Sequence, residues 1–307
     1  MTIADPEARP HQSGGDGAVR RVREPGTASE PRTANEFLAH DARLTPLVRT
    51  AAILPVKRFT DAKRRLGASV ADPLRAELAR AMVGDVLVAL SRTAAIERTI
   101  VVTREHAVAT AASYLGASVV ADTAEQGQSA AVALGVELAL NDGFERVLCI
   151  PGDCPALAPD ELDALLAGAD EAMAGGSHVS VRSGSAAGSA ARACSQVVIV
   201  PDRHGAGTNG LLLTPPDAIA PSFGPASCER HRALAHDAGA SCRVERVPSL
   251  LLDIDTGDDL AVLRERLAGQ QARAARTRVV LGLSAQARGG RARAARAGPN
   301  LPATTAR

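Results

Sequence analysis

Several short stretches of this chain concentrate acids, bases or glycines just past the ends of apolar runs. The run RVLCI (146–150) ends in PGDCP, which sets Asp153 between a Pro-Gly turn and a second proline. The stretch DIDTGDDL (253–260) delivers further acids to the end of another apolar run. Magnesium takes hard oxygen ligands, typically one or two carboxylates together with phosphate oxygens, and Asp153 with Asp255 offers such a pair from two separate strand ends. Residues two apart on an extended chain share a face, so Asp253 and Asp255 point the same way, whereas Asp258 and Asp259 suit the first turn of a following helix. Each acid alone reads as a turn former or cap; the two together favour a metal.

Cations and glycines complete the set. LPVKRFTDAKRRLG (54–67) places Lys57, Arg58, Lys63, Arg64 and Arg65 after the first apolar run, a loop able to meet a triphosphate, although it lacks the G-x-x-x-x-G-K-[ST] pattern of a P-loop. PDRHGAGTNG (201–210) contains G-x-G-x-x-G at Gly205, Gly207 and Gly210. A dinucleotide fingerprint would open a helix there, but LLLTPP follows, and two prolines deny a continuing helix. What remains is either a hairpin turn or an anion cradle of backbone N–H groups beside Arg203, His204 and Thr208. FGPASCERH puts Gly224 and Ser227 ahead of a helix, and EQGQSAAVALG (125–135) puts Gly127, Gln128 and Ser129 at another helix start. Both positions suit an anion or an ordinary N-cap.

These stretches need elements to aim them. TAAILPV (50–56), RTIVVT (98–103), ASVVAD (117–122), RVLCI and QVVIVPD (196–202) are short and apolar on both faces. Between them lie helical patterns, the clearest being DPLRAELARAMVGDVLVALSRT from Asp72, with an acid at the N-cap and proline at the first helical position. Such alternation predicts a three-layer α/β fold with a mostly parallel sheet, whose ligands bind beyond the carboxyl ends of the strands. Further strands are expected over 209–216, 242–249 and 250–256, and a last helix from Gly257. The pattern runs from 48 to 270, interrupted at 174–195 by a small-residue stretch expected to be a flexible insertion; 1–47 and 271–307 are expected to be disordered tails, the second basic.

The bulk numbers exclude some classes. Of 307 residues 46% are hydrophobic and 22% charged, without an apolar run long enough for a membrane span and without a signal-peptide pattern, so the expected location is the cytoplasm. A net charge of +1 and 2% aromatics leave neither a basic field nor stacking rings for nucleic acid. Five cysteines without a C-x-x-C pair signal neither zinc nor a disulfide framework and read as reduced thiols. Oligomeric state is not legible, and a homo-oligomer stays open.

Taken in order, LPVKRFTDAKRRL, PGDCPAL, VPDRHGAGTNGLLL, FGPAS and LLDIDTGDDL resemble the guanylyltransferases of deazaflavin coenzyme (F-420) biosynthesis, which act on phosphoenolpyruvate or 2-phospho-L-lactate. The resemblance covers about 48–270 and implies the nucleotidyltransferase fold shared with molybdenum-cofactor and sugar nucleotidyltransferases. It implies that Thr208, Gly224 and Ser227 contact the phosphorylated acceptor, that Lys57, Lys63 and Arg65 face the nucleotide phosphates in the catalytic loop, and that Asp153 and Asp255 hold magnesium. Gly127, Gln128 and Ser129 fall on the nucleotide, although GQS stands where the family tends to have GLN, and Gly257 where it has proline.

The implied reaction is attack of an acceptor phosphate oxygen on the α-phosphate of GTP, with pyrophosphate leaving. The acceptor is expected to be phosphoenolpyruvate, with 2-phospho-L-lactate and 3-phospho-D-glycerate as alternatives. A sugar-phosphate or molybdenum-cofactor nucleotidyltransferase is a rival, disfavoured because those families open with a longer glycine-rich loop. A non-catalytic nucleotide-binding regulator on the same fold is a rival of another class.

Overall fold

A computed structural model describes residues 48–59, 66, 71–176, 195–269 and 273–283. Its elements follow in the order β1 (Thr50–Val56), α1 (Asp72–Leu90), β2 (Arg98–Thr103), α2 (His106–Tyr114), β3 (Ser118–Ala121), α3 (Gln128–Asn141), β4 (Arg146–Cys149) and α4 (Pro159–Gly176). Then come β5 (Gln196–Pro201), β6 (Thr208–Thr214), α5 (Ser227–Asp237), β7 (Ser241–Val244), α6 (Gly257–Gly269) and α7 (Ala275–Val280). One seven-stranded sheet has the order β3-β2-β1-β4-β6-β5-β7. All pairings are parallel except those of β6, which runs antiparallel to both β4 and β5.

The period-2 alternation of each strand feeds two separate cores. Ala52, Leu54, Val101, Leu148, Val198 and Leu212 face α1, α2 and α4. Their neighbours Ala51, Ile53, Ile100, Val147, Val197 and Leu213 face α3 and α5. Because both faces are covered, the central strands read as continuous apolar runs. Pro55 would be out of place in the middle of a sheet, but the β1–β4 ladder ends at Ile53, so Pro55 sits where β1 pairs with β2 alone. Among the described residues no helix is long and apolar enough to cross a membrane.

Four expectations need correction. The strand expected over 242–249 is β7, which ends at Val244. No strand forms over 250–256: Leu250, Leu252 and Ile254 are buried in alternation, yet the neighbouring sheet positions are already filled, and Ile254 N donates to Asp153 O at 3.2 Å without starting a ladder. The chain after 270 is not a tail throughout. Asp85 on α1 accepts N–H bonds from Arg276 (3.0 Å) and Thr277 (2.8 Å), starting α7, and Ala274 joins a small core with Leu78, Met82, Leu263 and Leu267. Finally, α4 continues to Gly176, into the stretch expected as an insertion. The rest of that stretch, residues 1–47 and residues 284–307 lie outside the described residues.

Candidate active site

A cavity of about 710 Å³ opens at the carboxyl ends of β1, β4 and β5, a volume suited to a small-molecule ligand. Lys57 follows β1 into it, Gly152 and Asp153 follow β4, and Asp202 follows β5. β6 runs the other way, so its amino end reaches this same edge and brings Thr208 and Asn209 to the wall. The hairpin reading of 201–210 is therefore the observed one.

The acids meet here. Asp153, Asp253 and Asp255 all line the cavity, and the Ile254 to Asp153 backbone bond ties their two segments together. Gly152 lets the turn close against α1: a Cβ there would stand 2.8 Å from Val83 Cγ2. Leu252 and Ile254 pack inward, which turns Asp253 and Asp255 to the cavity, the shared face expected from their spacing. Burial, followed by the negative charge of Asp153, pushes the Asp253 carboxyl up, and Asp255 adds to it; a hydrogen bond from Asn209 Nδ2 (3.1 Å) opposes the shift. The same amide donates to Leu250 O at 2.7 Å. Among the described residues no group of three or more His, Cys, Asp or Glu is arranged to hold a metal. The charges of Asp153 and Asp255 nevertheless add to the raised proton affinity of Asp253, and a hard divalent cation would relieve such repulsion.

Two further acids fix the loops. The Asp202 carboxylate accepts from the backbone N–H of His204 (3.0 Å), Ala206 (3.0 Å) and Gly207 (2.9 Å). The glycine-rich loop thus has an anion cradle, and its own carboxylate fills it. Gly207 lets that carboxylate approach, since a Cβ would lie 2.6 Å from Asp202 Oδ2 and force a shift. Asp259 Oδ2 accepts from Asp255 N (3.1 Å), Thr256 N (2.7 Å) and Thr256 Oγ1 (2.8 Å), capping the start of α6. Its Oδ1 is 2.6 Å from Arg203, joining the glycine loop to the Asp255 segment. Those hydrogen bonds and Arg203 hold the Asp259 carboxyl below its usual range despite burial.

Residues 223–227 also line the cavity. Gly224 has φ 115° and Ala226 φ 55°, both in the left-handed region, and α5 begins at Ser227. Arg230 holds this loop, donating to Ser222 Oγ (3.1 Å), Ser222 O (3.0 Å) and Pro225 O. Cys228 N donates to Ala206 O at 3.1 Å, so the glycine loop and the start of α5 are joined around Thr208. His231, buried, contacts Thr208 Oγ1 at 3.0 Å and Ser222 N at 2.9 Å. Thr208, Gly224 and Ser227 all line the cavity.

Of the residues expected on the nucleotide, Gln128 lines the cavity. Gly127, at φ 103°, starts α3, and Ser129 Oγ accepts from Phe223 N at 2.9 Å, bracing the 222–227 loop. Lys57 is an exposed cation of the wall; Lys63 and Arg65 lie outside the described residues. Arg58 is paired with Glu125 (2.7 Å), which also accepts from Arg104 (3.2 Å). Of the cysteines described, Cys149, Cys154 and Cys228 are buried, Cys149 with its thiol pushed up to about 12 by burial, and burial raises Cys228 and Cys242 as well. None of the thiols of Cys149, Cys228 and Cys242 is activated as a nucleophile. Asp202, His231, Arg230 and Asn209 carry the site's internal bonding without having been assigned that work by sequence reasoning; the only hint was that they stand within or beside the motifs.

A family model described as guanylyl transferase CofC like matches residues 50–176. A phosphoenolpyruvate guanylyltransferase from Conexibacter woesei is 46% identical over 232 residues, covering 76% of this chain and 95% of that protein. A protein of the same name from Sphaerobacter thermophilus is 34% identical over 220 residues, covering 72% of this chain and 93% of its own. A crystal structure from Desulfovibrio desulfuricans, described as a nucleotide-diphospho-sugar transferase, superposes with a TM-score of 0.51 at 18% identity over 72% of this chain and 88% of that one, a likeness of fold. Identity of this degree, spread across nearly the whole length of the relatives, shows that the chain belongs to the phosphoenolpyruvate guanylyltransferase family.

Proposed function

We propose that this protein transfers GMP from GTP to the phosphate of phosphoenolpyruvate, giving enolpyruvyl-2-diphospho-5'-guanosine and pyrophosphate, a step of coenzyme F-420 biosynthesis. The observation that carries the reading is that Asp153 and Asp255, from separate segments, line one cavity with Thr208, Gly224 and Ser227. Acids suited to a cation and groups suited to a phosphorylated acid thus share one space, as joining two phosphates requires.

The chemistry asks little of a nucleophilic side chain. A phosphate monoester has its second pKa near about 6, so the attacking oxygen is already largely ionised at neutral pH. The obstacle is repulsion between two polyanions and their alignment in line. Asp153 and Asp255 would hold Mg2+, which when bound offsets phosphate charge and orients the reacting oxygens. Lys57 adds a cation on the β1 side, and Lys63 and Arg65 are proposed to act with it on the nucleotide phosphates. Gln128, with Gly127 and Ser129 at the start of α3, is proposed to face the nucleotide. Thr208, Gly224 and Ser227 are proposed to hold the acceptor in the same cavity. Asp259 and Asp202 keep the two loops from drifting.

Incubation with GTP, Mg2+ and each of phosphoenolpyruvate, 2-phospho-L-lactate and 3-phospho-D-glycerate tests the reading by pyrophosphate release. Phosphoenolpyruvate is expected to give the highest kcat/KM. Preference for either other acid reassigns the acceptor, and no release with any of them removes the reaction.

A further inference from the structure

The imidazole of His231 is 0% exposed, and each of its ring nitrogens has one polar contact. Nε2 lies 2.9 Å from the backbone nitrogen of Ser222. A backbone N–H only donates, so Nε2 accepts and carries no hydrogen. The neutral ring then bears its hydrogen on Nδ1, which donates to Thr208 Oγ1 at 3.0 Å. With one lone pair occupied in this way, the Thr208 hydroxyl keeps its own hydrogen for another partner, and Thr208 lines the cavity. The opposite tautomer would set N–H against N–H at Ser222 and use up the Thr208 hydrogen on the ring. An imidazolium would meet the same clash.

We propose that His231 is a positioning residue which, as a fixed Nδ1–H tautomer, makes the Thr208 hydroxyl a hydrogen-bond donor to an anionic oxygen of the acceptor acid. The inference rests on the proposed reaction for the identity of that acid. The surroundings keep the ring in this state. Phe223 packs edge-on at 5.1 Å between ring centres, and Arg230 holds the other side of the Ser222 loop. Burial, with the nearby Arg230 charge, lowers the His231 pKa to about 4, so the ring stays neutral at neutral pH. A hydroxyl that presents its hydrogen to the acceptor favours the fully ionised acid, which is also the nucleophilic form.

Two measurements test this. Two-dimensional NMR of the full chain with 15N-labelled histidine reads the ring directly, His231 being assigned by its loss in His231→Asn. A protonated Nδ1 with a pyridine-type Nε2 at neutral pH is expected; a protonated Nε2, or an imidazolium, overturns the proposal. Kinetics read the consequence. His231→Gln can present a carbonyl to Ser222 N–H while losing the donor to Thr208, whereas His231→Asn keeps an amide N–H near Nδ1. His231→Gln should raise the KM for phosphoenolpyruvate about tenfold, the loss of one charge-assisted bond, with the KM for GTP unchanged. His231→Asn should restore most of that loss, and in a Thr208→Val background His231→Gln should add nothing. An equal rise in both KM values, no rise at all, or multiplicative effects in the double variant would overturn the proposal. If either variant fails to fold, the tautomer measured in the unaltered chain decides. A chain that transfers GMP but shows the other tautomer loses only this inference, while one that transfers GMP to no acid loses the proposed reaction.

Discussion

Replacing Asp259 by alanine is the sharpest test of how the Asp255 segment is held. Its side chain is 8% exposed, and one carboxylate oxygen receives three hydrogen bonds, from Asp255 N, Thr256 N and Thr256 Oγ1, while the other meets Arg203 at 2.6 Å. Loss of a helix cap costs about 1–2 kcal/mol. Removing a largely buried carboxylate from Arg203, itself 29% exposed, adds to this, by about 1–2 kcal/mol because the arginine can turn to water. Asp259→Ala should therefore lower unfolding stability by about 2–4 kcal/mol in urea titration, with the m-value unchanged. Asp259→Asn keeps an acceptor for the cap and should lose about half as much. Because the folded-state pKa of Asp259 is lowered, the gap between the unaltered chain and Asp259→Ala should be full above the unfolded carboxylate value of about 3.9 and shrink as pH falls through the folded value. Turnover should fall in Asp259→Ala, where Asp255 N loses its tether, and less in Asp259→Asn, which keeps an acceptor for it. A stability loss under about 0.5 kcal/mol for Asp259→Ala, or full turnover despite a large loss, would refute this account of the loop.

Two other outcomes follow from the same contacts. Gly207→Ala forces a Cβ to 2.6 Å from Asp202 Oδ2 and should cost about 1–3 kcal/mol in thermal or urea unfolding, raising the KM for the acceptor as the loop beside Thr208 shifts; a neutral substitution would contradict the packing. For His231 the folded pKa of about 4 lies below the unfolded value, so its contribution is intact above about pH 6.5 and declines as pH falls toward 4, by on the order of 2–3 kcal/mol in total. Asp253, whose pKa is raised, works in the opposite direction as pH falls. The difference between the unaltered chain and His231→Asn isolates the histidine, and a difference independent of pH between 4 and 7 would contradict its buried neutral state.

Local signals carried much of this fold. The apolar run at 50–56 and the β-branched run at 98–103 are the observed β1 and β2 to the residue, and Asp72-Pro73 marks the start of α1, although the N-cap is Ala71 rather than the expected Asp72 and no side chain caps it. Where legibility failed, a distant partner decides the outcome. The alternation of Leu250, Leu252 and Ile254 is real burial, but a strand also needs an open neighbour in the sheet, which the sequence does not display. The Arg/Ala-rich stretch after 270 looks solvated until Asp85, remote in sequence, caps it. At the site, the acids and glycines stood out by type and spacing. The direction of β6 did not, and it is that direction which brings Thr208 to the cavity. The ring state of His231 depends on one backbone N–H of a loop, and no spacing rule encodes it.

The central claim is that Asp153 and Asp255 serve a single bound cation where the phosphates meet. Pyrophosphate release measured for Asp153→Asn, Asp255→Asn and the double variant, each at saturating GTP, phosphoenolpyruvate and Mg2+, tests it most directly. Residues acting as one unit give non-additive losses, so each single variant should fall by about a thousandfold or more and the double variant should be no worse than the weaker single. Near-normal release by either single variant, or losses that multiply in the double, would contradict a shared cation.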